Sequence, residues 1–477
     1  MGVPAHAHVH VPSENTPVAL AEWLRYLAAL VAQLPDVDVA RRFASFVKLR
    51  ARIAGDMAAT APGASSRCGS QVGKLFPWLF VRQLLDEHTP AAVADEAEEL
   101  AEEVVGAFRE HLGANTRLSP QTRQAALKKR NRIRVKVAAP AWVHDDVSML
   151  RSYGFALDWL RHSWPLAEGE EEPNGSTPHA FVWHAMVLHA YEAYVREMFA
   201  SAGRPRDWEN DWHISPLAQG SRGAQYESLT NDIFVNSLVL QEPFFDQDAP
   251  RAFKYASFGS VVGHEVTHGF DSNGAGRDPW GDVAQWWSEV SQPRFEEARS
   301  CLKKSYNSLS FQGDRKDAGK LGEPDGVQYT DDGERCLAEN MADVGGLNIA
   351  FSAFERWLAQ HDRAAQGAKG FTAEQVFFLR FGAMYCDFKT GSDLQKHIES
   401  EDDHAVNRLR VNGAVRNSRA FAEAFKCKPH TPMNPEEKCD FWDRPRHYGS
   451  SSRRGHPGTC LLLLPFFLLF NVVFRVE

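Results

Sequence analysis

Two histidines and a glutamate within residues 261–270 have the spacing to hold and use a metal ion. His264 and His268 are four residues apart, and Glu265 directly follows the first of them. Side chains at i and i+4 lie on one face of an α-helix, so both imidazoles could bind one zinc ion. Glu265 lies beside that face, where it could accept a proton from a zinc-bound water. The alternative is that the histidine pair is simply a polar helix face.

A catalytic zinc needs a third protein ligand, and a second helical segment offers one. Glu339 and Asp343 are four residues apart and share a face. Glu339 could bind zinc, while Asp343 could hydrogen-bond the outer nitrogen of a histidine ligand and fix its tautomer. Such pairs are more often solvent-exposed, but this segment is largely apolar, which favours a buried role.

The elements that must position these residues follow from hydrophobic periodicity. Residues 233–240 are the best strand candidate, and the first third of the chain shows mainly helical spacing. The later segments with a helical pattern are residues 253–272, 282–307, 334–360, 372–388 and 415–427.

The composition of the 477 residues is that of an ordinary globular protein of two or three domains. The formal net charge of −9 argues against nucleic-acid binding. A run of cations extends from Arg117 to Lys136 and includes Lys128 and Lys129. Because it follows helix-period sequence, we interpret it as a solvated helix face.

Longer motifs resemble the neprilysin and endothelin-converting-enzyme family of zinc metallopeptidases. The resemblance covers about residues 40–442 and is most specific in the second half of the chain. The segments that carry it are Gln241–Phe245, His264–Gly274, Trp286–Trp287, Glu339–Leu347 and Met433–Trp442.

The resemblance implies a mainly α fold with a small β-sheet, an α+β class. It predicts a thermolysin-like zinc metallopeptidase catalytic domain over 205–445 and an incomplete helical second domain over 19–204. Residues 1–18 are expected to be a disordered lead, and 446–477 a C-terminal tail with an apolar segment.

The resemblance also assigns roles to the metal-site residues. It implies that His264, His268 and Glu339 bind one Zn²⁺ per chain, that Glu265 is the general base, and that Asp343 supports a ligand histidine.

Further roles rest on the resemblance alone. His404 would stabilise the oxyanion and Asp402 would orient it, while Arg410 would bind a substrate carbonyl. Val261 and Tyr385 fall where the family builds its hydrophobic pocket, although Tyr385 replaces an expected Trp.

The chain departs from the family pattern along the strand that binds the substrate backbone. The family's Asn-Ala-x-Tyr becomes Gly223, Ala224, Gln225 and Tyr226. Ala224 keeps its place in substrate binding, but Gly223 lacks the amide that holds the substrate.

Seven cysteines occur singly, with no CxxC pair, so a cysteine-based zinc site is unsupported. The resemblance implies a Cys301–Cys439 disulfide. The family partners of Cys68, Cys386 and Cys427 lie in a region without a counterpart here, so these three are expected to stay free or to mispair. The same comparison predicts an N-terminally shortened chain.

The two ends of the sequence give conflicting indications of the cellular compartment. No signal peptide is visible at the start, whereas residues 449–474 match a GPI-attachment signal; an accidental extension of the reading frame is the alternative. The resemblance implies an extracellular or cell-surface protein, attached to a membrane by this tail or by the N-terminal segment that has no counterpart.

Two functional hypotheses follow. The first is a zinc-dependent endopeptidase that hydrolyses short peptides before a hydrophobic residue. The alternative is a catalytically weak or inactive relative that binds peptides.

Overall fold

The computed structural model describes five long stretches, residues 91–145, 223–312, 332–361, 370–387 and 402–439. Shorter described pieces are 81–82, 85–86, 89, 147–148, 328–330, 367–368, 396–397, 399–400 and 442. The predictions for 1–18 and 446–477 lie outside these residues. One compact unit comprises Thr89–Ala138 and Gly223–Glu477, and a second comprises Met1–His88 and Ala139–Arg222.

The first unit begins with two helices. Helix α1, Ala91–Ala114, buries Leu100, Val104 and Phe108 along one face. Helix α2, Pro120–Arg130, begins after Ser119, whose hydroxyl accepts the amide of Thr122. Residues 19–204 are expected to form a separate helical domain, yet α1 and α2 belong to the same compact unit as Gly223–Glu477. The boundary near residue 205 stays a prediction.

A three-stranded sheet follows, in the order β1-β3-β2. Strand β1, Arg134–Ala138, pairs in parallel with β3, Asp232–Asn236, and β2, Ala224–Glu227, pairs antiparallel with the other side of β3. The predicted strand 233–240 ends early because Asn236 Oδ1 accepts the amide of Leu238 and starts a 3-10 turn. Strand β1 was not predicted from the sequence.

A helical segment interrupted by one π turn leads into the histidine pair. Helix α3, Arg251–Lys254, continues through the π turn Tyr255–Gly259 into α4, Ser260–His268. Helix α5, Ser291–Asn307, follows, and β4, Ser310–Gln312, pairs antiparallel with β5, Gln328–Thr330.

The remaining helices are α6, Leu337–Leu358, α7, Ala373–Met384, α8, Asn407–Asn417, and α9, Arg419–Ala424. Helix α6 is buried on almost all sides, which explains its apolar sequence. The predicted mainly α fold with a small sheet is thus confirmed within the described residues. None of the described helices combines the length and apolar character required to cross a membrane.

Helices α4 and α6 cross so closely that their backbones touch. A Cβ at Gly346 would lie 2.5 Å from the amide nitrogen of His264, and one at Gly263 would lie 2.7 Å from the carbonyl oxygen of Gly346. Only glycine tolerates this approach. The crossing brings the start of α6 against the histidines of α4.

Disulfides tie the later elements together. Cys301 on α5 pairs with Cys439 at a Cα–Cα distance of 5.5 Å, which confirms the predicted pairing. Cys427 was expected to stay free or to mispair; it is disulfide-bonded, which excludes the free thiol, and its partner lies outside the described residues. Cys386 is an exposed free thiol, as expected.

Two members of the cation run are buried, contrary to the interpretation of a solvated face. Lys129 is 1% exposed and Lys136 is 7% exposed. Lys136 pairs with Asp232 across β1 and β3 at 3.2 Å, whereas Lys129 lies in the last turn of α2 and is buried. Lys128, next to it, is exposed as predicted.

Candidate metal centre

Helices α4 and α6 bring the three candidate ligands together. His264 Nε2 lies 3.0 Å from His268 Nε2 and 3.1 Å from Glu339 Oε2. His268 Nε2 lies 3.6 Å from Glu339 Oε1. The i, i+4 spacing on α4 and the backbone contact with α6 together produce this geometry.

Each outer imidazole nitrogen contacts a carboxylate. His264 Nδ1 lies 2.9 Å from Asp343 Oδ1, as the sequence predicted, and His268 Nδ1 lies 2.7 Å from Asp271 Oδ2. An Nδ1–H that donates to a carboxylate leaves the lone pair on Nε2, directed at the centre of the group. Asp271 was missed from the sequence, although its position three residues after His268 was a usable signal.

This donor set fits a divalent cation. Two Nε2 lone pairs 3.0 Å apart repel each other unless a proton or a metal ion lies between them. Glu339 Oε2 is buried, and none of its contacts has hydrogen-bond geometry. Ligand atoms of His264, Glu339 and His404 all lie within 4.8 Å of one another. Imidazole and carboxylate ligands in this number are typical of zinc.

The charges of the group are strongly coupled. Burial would lower the pKa of His264, but the hydrogen bond to Asp343 and the close carboxylate of Glu339 raise it to about 10. Burial would also lower the pKa of His268, but the hydrogen bond to Asp271 outweighs burial and raises it. For Glu339, burial is outweighed by the imidazoles of His264 and His404, which hold its pKa well below the usual range. Zinc must therefore displace protons to bind, so its affinity falls as pH falls.

Arg410 holds the carboxylate behind His264. Its Nε and Nη2 donate to the two oxygens of Asp343, each at 2.7 Å. Tyr385 contributes a 3.4 Å hydrogen bond from its hydroxyl to Asp343 Oδ1, and its ring lies 5.0 Å from the guanidinium. Burial would raise the pKa of Asp343, but Arg410 and then His264 lower it well below the usual range. Arg410 thus orients the imidazole of His264 through Asp343.

The predicted base is anchored to the edge of the sheet. Glu265 is 6% exposed, and its Oε2 accepts the backbone amide of Tyr226 on β2 at 2.7 Å. The Tyr226 hydroxyl donates to Asn231 Oδ1 at 2.8 Å, which fixes the end of this strand. One carboxylate oxygen of Glu265 is therefore held at the edge of the sheet.

His404 and Asp402 form the predicted pair at the rim of the group. His404 Nδ1 lies 2.7 Å from Asp402 Oδ1, and its Nε2 lies 3.0 Å from Glu339 Oε2. The contact with Glu339 raises the pKa of His404. The imidazole is thus directed into the same space as the candidate ligands.

The remaining predicted residues lie on the helix that carries the histidine pair and on the strand that anchors the predicted base. Val261 is half-buried, one turn before His264 on α4, and Ala224 lies on β2 two residues before Tyr226. Gly223 accepts the amide of Asn236 through its carbonyl at 2.9 Å.

Known proteins resemble this chain in sequence. A family model described as peptidase family M13 matches residues 223–441, and a second model of that family matches residues 13–140. Neprilysin-3 of Drosophila melanogaster is 30% identical over 367 residues, which cover 76% of this chain and 41% of that protein. Endothelin-converting enzyme 1 of Homo sapiens is 28% identical over 357 residues, covering 74% and 41%.

A solved structure shares the fold. The zinc metalloprotease of Mycobacterium tuberculosis, crystallised with an inhibitor, aligns with a TM-score of 0.58 at 23% identity, over 85% of this chain and 60% of that one. The chain spans about two fifths of the length of the curated relatives named above.

Proposed function

Since the chain belongs to peptidase family M13, the neprilysin and endothelin-converting-enzyme family, we propose that it is a zinc-dependent endopeptidase acting on short peptides. The observation that carries this proposal is the convergence of His264, His268 and Glu339. Both imidazoles are fixed by carboxylates, and Glu265 lies beside them. Cleavage before a hydrophobic residue is the preference that the family resemblance implies.

His264, His268 and Glu339 would hold the zinc ion. When bound, zinc acts as a Lewis acid that polarises the scissile carbonyl and acidifies water. Asp343 and Asp271 keep both Nδ1 protons in place, so the Nε2 lone pairs stay available as ligands.

Glu265 would act as the general base. With Oε2 held by the Tyr226 amide, Oε1 takes a proton from the attacking water and then delivers it to the leaving amine. The free energy needed to reorient this carboxylate during the reaction is small, because its orientation is set before the substrate binds.

His404 and Arg410 would act on the substrate carbonyls. The contact with Glu339 raises the pKa of His404, and Asp402 directs the ring toward the ligand group. A donor in that position stabilises the oxyanion as negative charge develops. Arg410 would offer Nη1 to a neighbouring substrate carbonyl.

A peptide-binding protein without activity is the second candidate, and Gly223 favours it. The family holds substrate with an Asn amide at this position, and glycine has no side chain to replace it. A Cβ at residue 223 would lie 3.0 Å from Val239 Cγ2, so a larger residue there would require the valine side chain to shift.

An extracellular or cell-surface location is part of the proposal. The Cys301–Cys439 disulfide and the disulfide bond of Cys427 support an oxidising compartment.

We expect the zinc-loaded chain to cleave a fluorogenic peptide with leucine after the scissile bond, and to cleave a matched peptide with aspartate there much more slowly. A chelator should stop cleavage, and added Zn²⁺ should restore it. Cleavage that survives complete zinc removal would contradict the proposal. Binding of the leucine peptide without cleavage, at full zinc loading, would favour the second candidate.

A further inference from the structure

A buried lysine from a distant part of the chain reaches the segment that follows the histidine pair. Lys129, the penultimate residue of α2, is 1% exposed. Its Nζ donates to the carbonyl oxygens of Gly274 at 2.7 Å and Arg277 at 2.8 Å. A buried ammonium is costly unless it is paired, so this side chain is constrained to one place.

The segment that Lys129 holds contains the carboxylate behind His268. Asp271 is 2% exposed, and its Oδ1 accepts the amides of Asn273 and Gly274, both at 2.7 Å. Its other oxygen lies 2.7 Å from His268 Nδ1. The position of Gly274 therefore fixes Asp271, and Asp271 fixes the imidazole.

Close packing makes this segment intolerant of movement. A Cβ on Gly274 would collide with the carbonyl oxygen of His268. The Lys129 ammonium also lies 5.5 Å from the centre of the Phe270 ring, between the histidine and Asp271 in the chain. Any displacement of Gly274 is thus transmitted directly to the end of α4.

The backbone carbonyl of the same lysine is linked to the predicted base by a chain of hydrogen bonds through two other residues. The Lys129 carbonyl accepts Asn231 Nδ2 at 3.0 Å, and Asn231 Oδ1 accepts the Tyr226 hydroxyl at 2.8 Å. Tyr226 donates its amide to Glu265. One residue therefore connects to the candidate ligand through its side chain and to the candidate base through its carbonyl.

We propose that Lys129 is a positioning residue of the zinc site, which sets His268 through Gly274 and Asp271. This inference rests on the proposed zinc site. Burial lowers the pKa of Lys129 to about 7, and the nearby charge of Asp271 only partly opposes this shift.

The test is the Zn²⁺ affinity of the full chain, measured by competition with a chromogenic chelator. Lys129→Met removes the ammonium at nearly constant shape, and we expect Zn²⁺ to bind about 10–100-fold more weakly. Lys128→Met, the same change at the exposed neighbour, should leave the affinity unchanged. Lys129→Arg, which keeps N–H donors, should recover part of the loss.

A double-mutant cycle separates positioning from general stability. If Lys129 acts through Asp271, Lys129→Met should cost much less Zn²⁺ affinity in an Asp271→Asn background than in the wild type. A purely structural lysine would lower the melting temperature but leave the affinity of the folded protein unchanged in both backgrounds.

Each outcome decides the inference. Should Lys129→Met not fold, Lys129→Gln replaces it, with the same direction and a smaller expected loss. A folded variant with wild-type Zn²⁺ affinity, beside a wild type that binds zinc, overturns this inference alone. A wild type that binds no zinc overturns the proposed function and this inference with it.

Discussion

Replacing Glu265 by glutamine is expected to lower the rate of peptide cleavage by about 10²–10⁴-fold and to leave Zn²⁺ binding unchanged. Glutamine has nearly the same shape, and its side-chain oxygen can still accept the Tyr226 amide that now holds Oε2. It cannot take a proton from water, so only the chemical step suffers. The measurement is the cleavage rate of the leucine peptide at saturating zinc.

A matched control keeps this result interpretable. Glu297 is exposed on α5, and Glu297→Gln makes the same charge change away from the site; it should cleave like the wild type. A Glu265→Gln variant with the wild-type rate would place the base elsewhere. Loss of zinc from that variant would make Glu265 a ligand instead.

Gly346→Ala is expected to disrupt the crossing of α4 and α6. The added methyl would lie 2.5 Å from the His264 amide nitrogen, against backbone that cannot move aside alone. Overpacking of this kind costs about 1–3 kcal/mol in free energy of unfolding. Because the crossing also positions Glu339 against His264, Zn²⁺ affinity should fall together with stability. Chemical denaturation and chelator competition measure the two effects.

Gly113→Ala is the control for this change. Gly113 is an exposed glycine in α1, and a Cβ there would meet nothing within 4 Å. Alanine should stabilise the helix by about 0.5–1 kcal/mol and leave the zinc site unaffected. If Gly346→Ala were as stable as the wild type, the close crossing would not be what holds the site together.

The metal centre was the most predictable part of the molecule, because its residues obey helical periodicity. The pairs His264/His268 and Glu339/Asp343 each required only the i, i+4 rule, and the Asp343–His264 contact followed from the need to fix a ligand tautomer. The approach of the two helices did not follow from this rule. It depends on Gly263 and Gly346, whose importance appears only when the backbones are placed together.

Residues that act through tertiary contacts were beyond sequence reasoning. Lys129 has the same local pattern as the exposed Lys128, and only the fold shows that one is buried and the other is not. Strand β1 was missed because Arg134 and Lys136 continue a cation run that suggested a helix face. The helix predicted over 415–427 is divided at Ser418, which caps α9 by accepting the amide of Phe421.

Metal analysis of the purified chain tests the central claim most directly. The account predicts one zinc ion per chain in the wild type and in the control Glu334→Ala, which changes an exposed carboxylate that pairs with Lys303. It predicts that Glu339→Ala loses most of its zinc, because a buried ligand is removed. A wild type without zinc, or a Glu339→Ala variant that keeps full zinc affinity, would contradict the account.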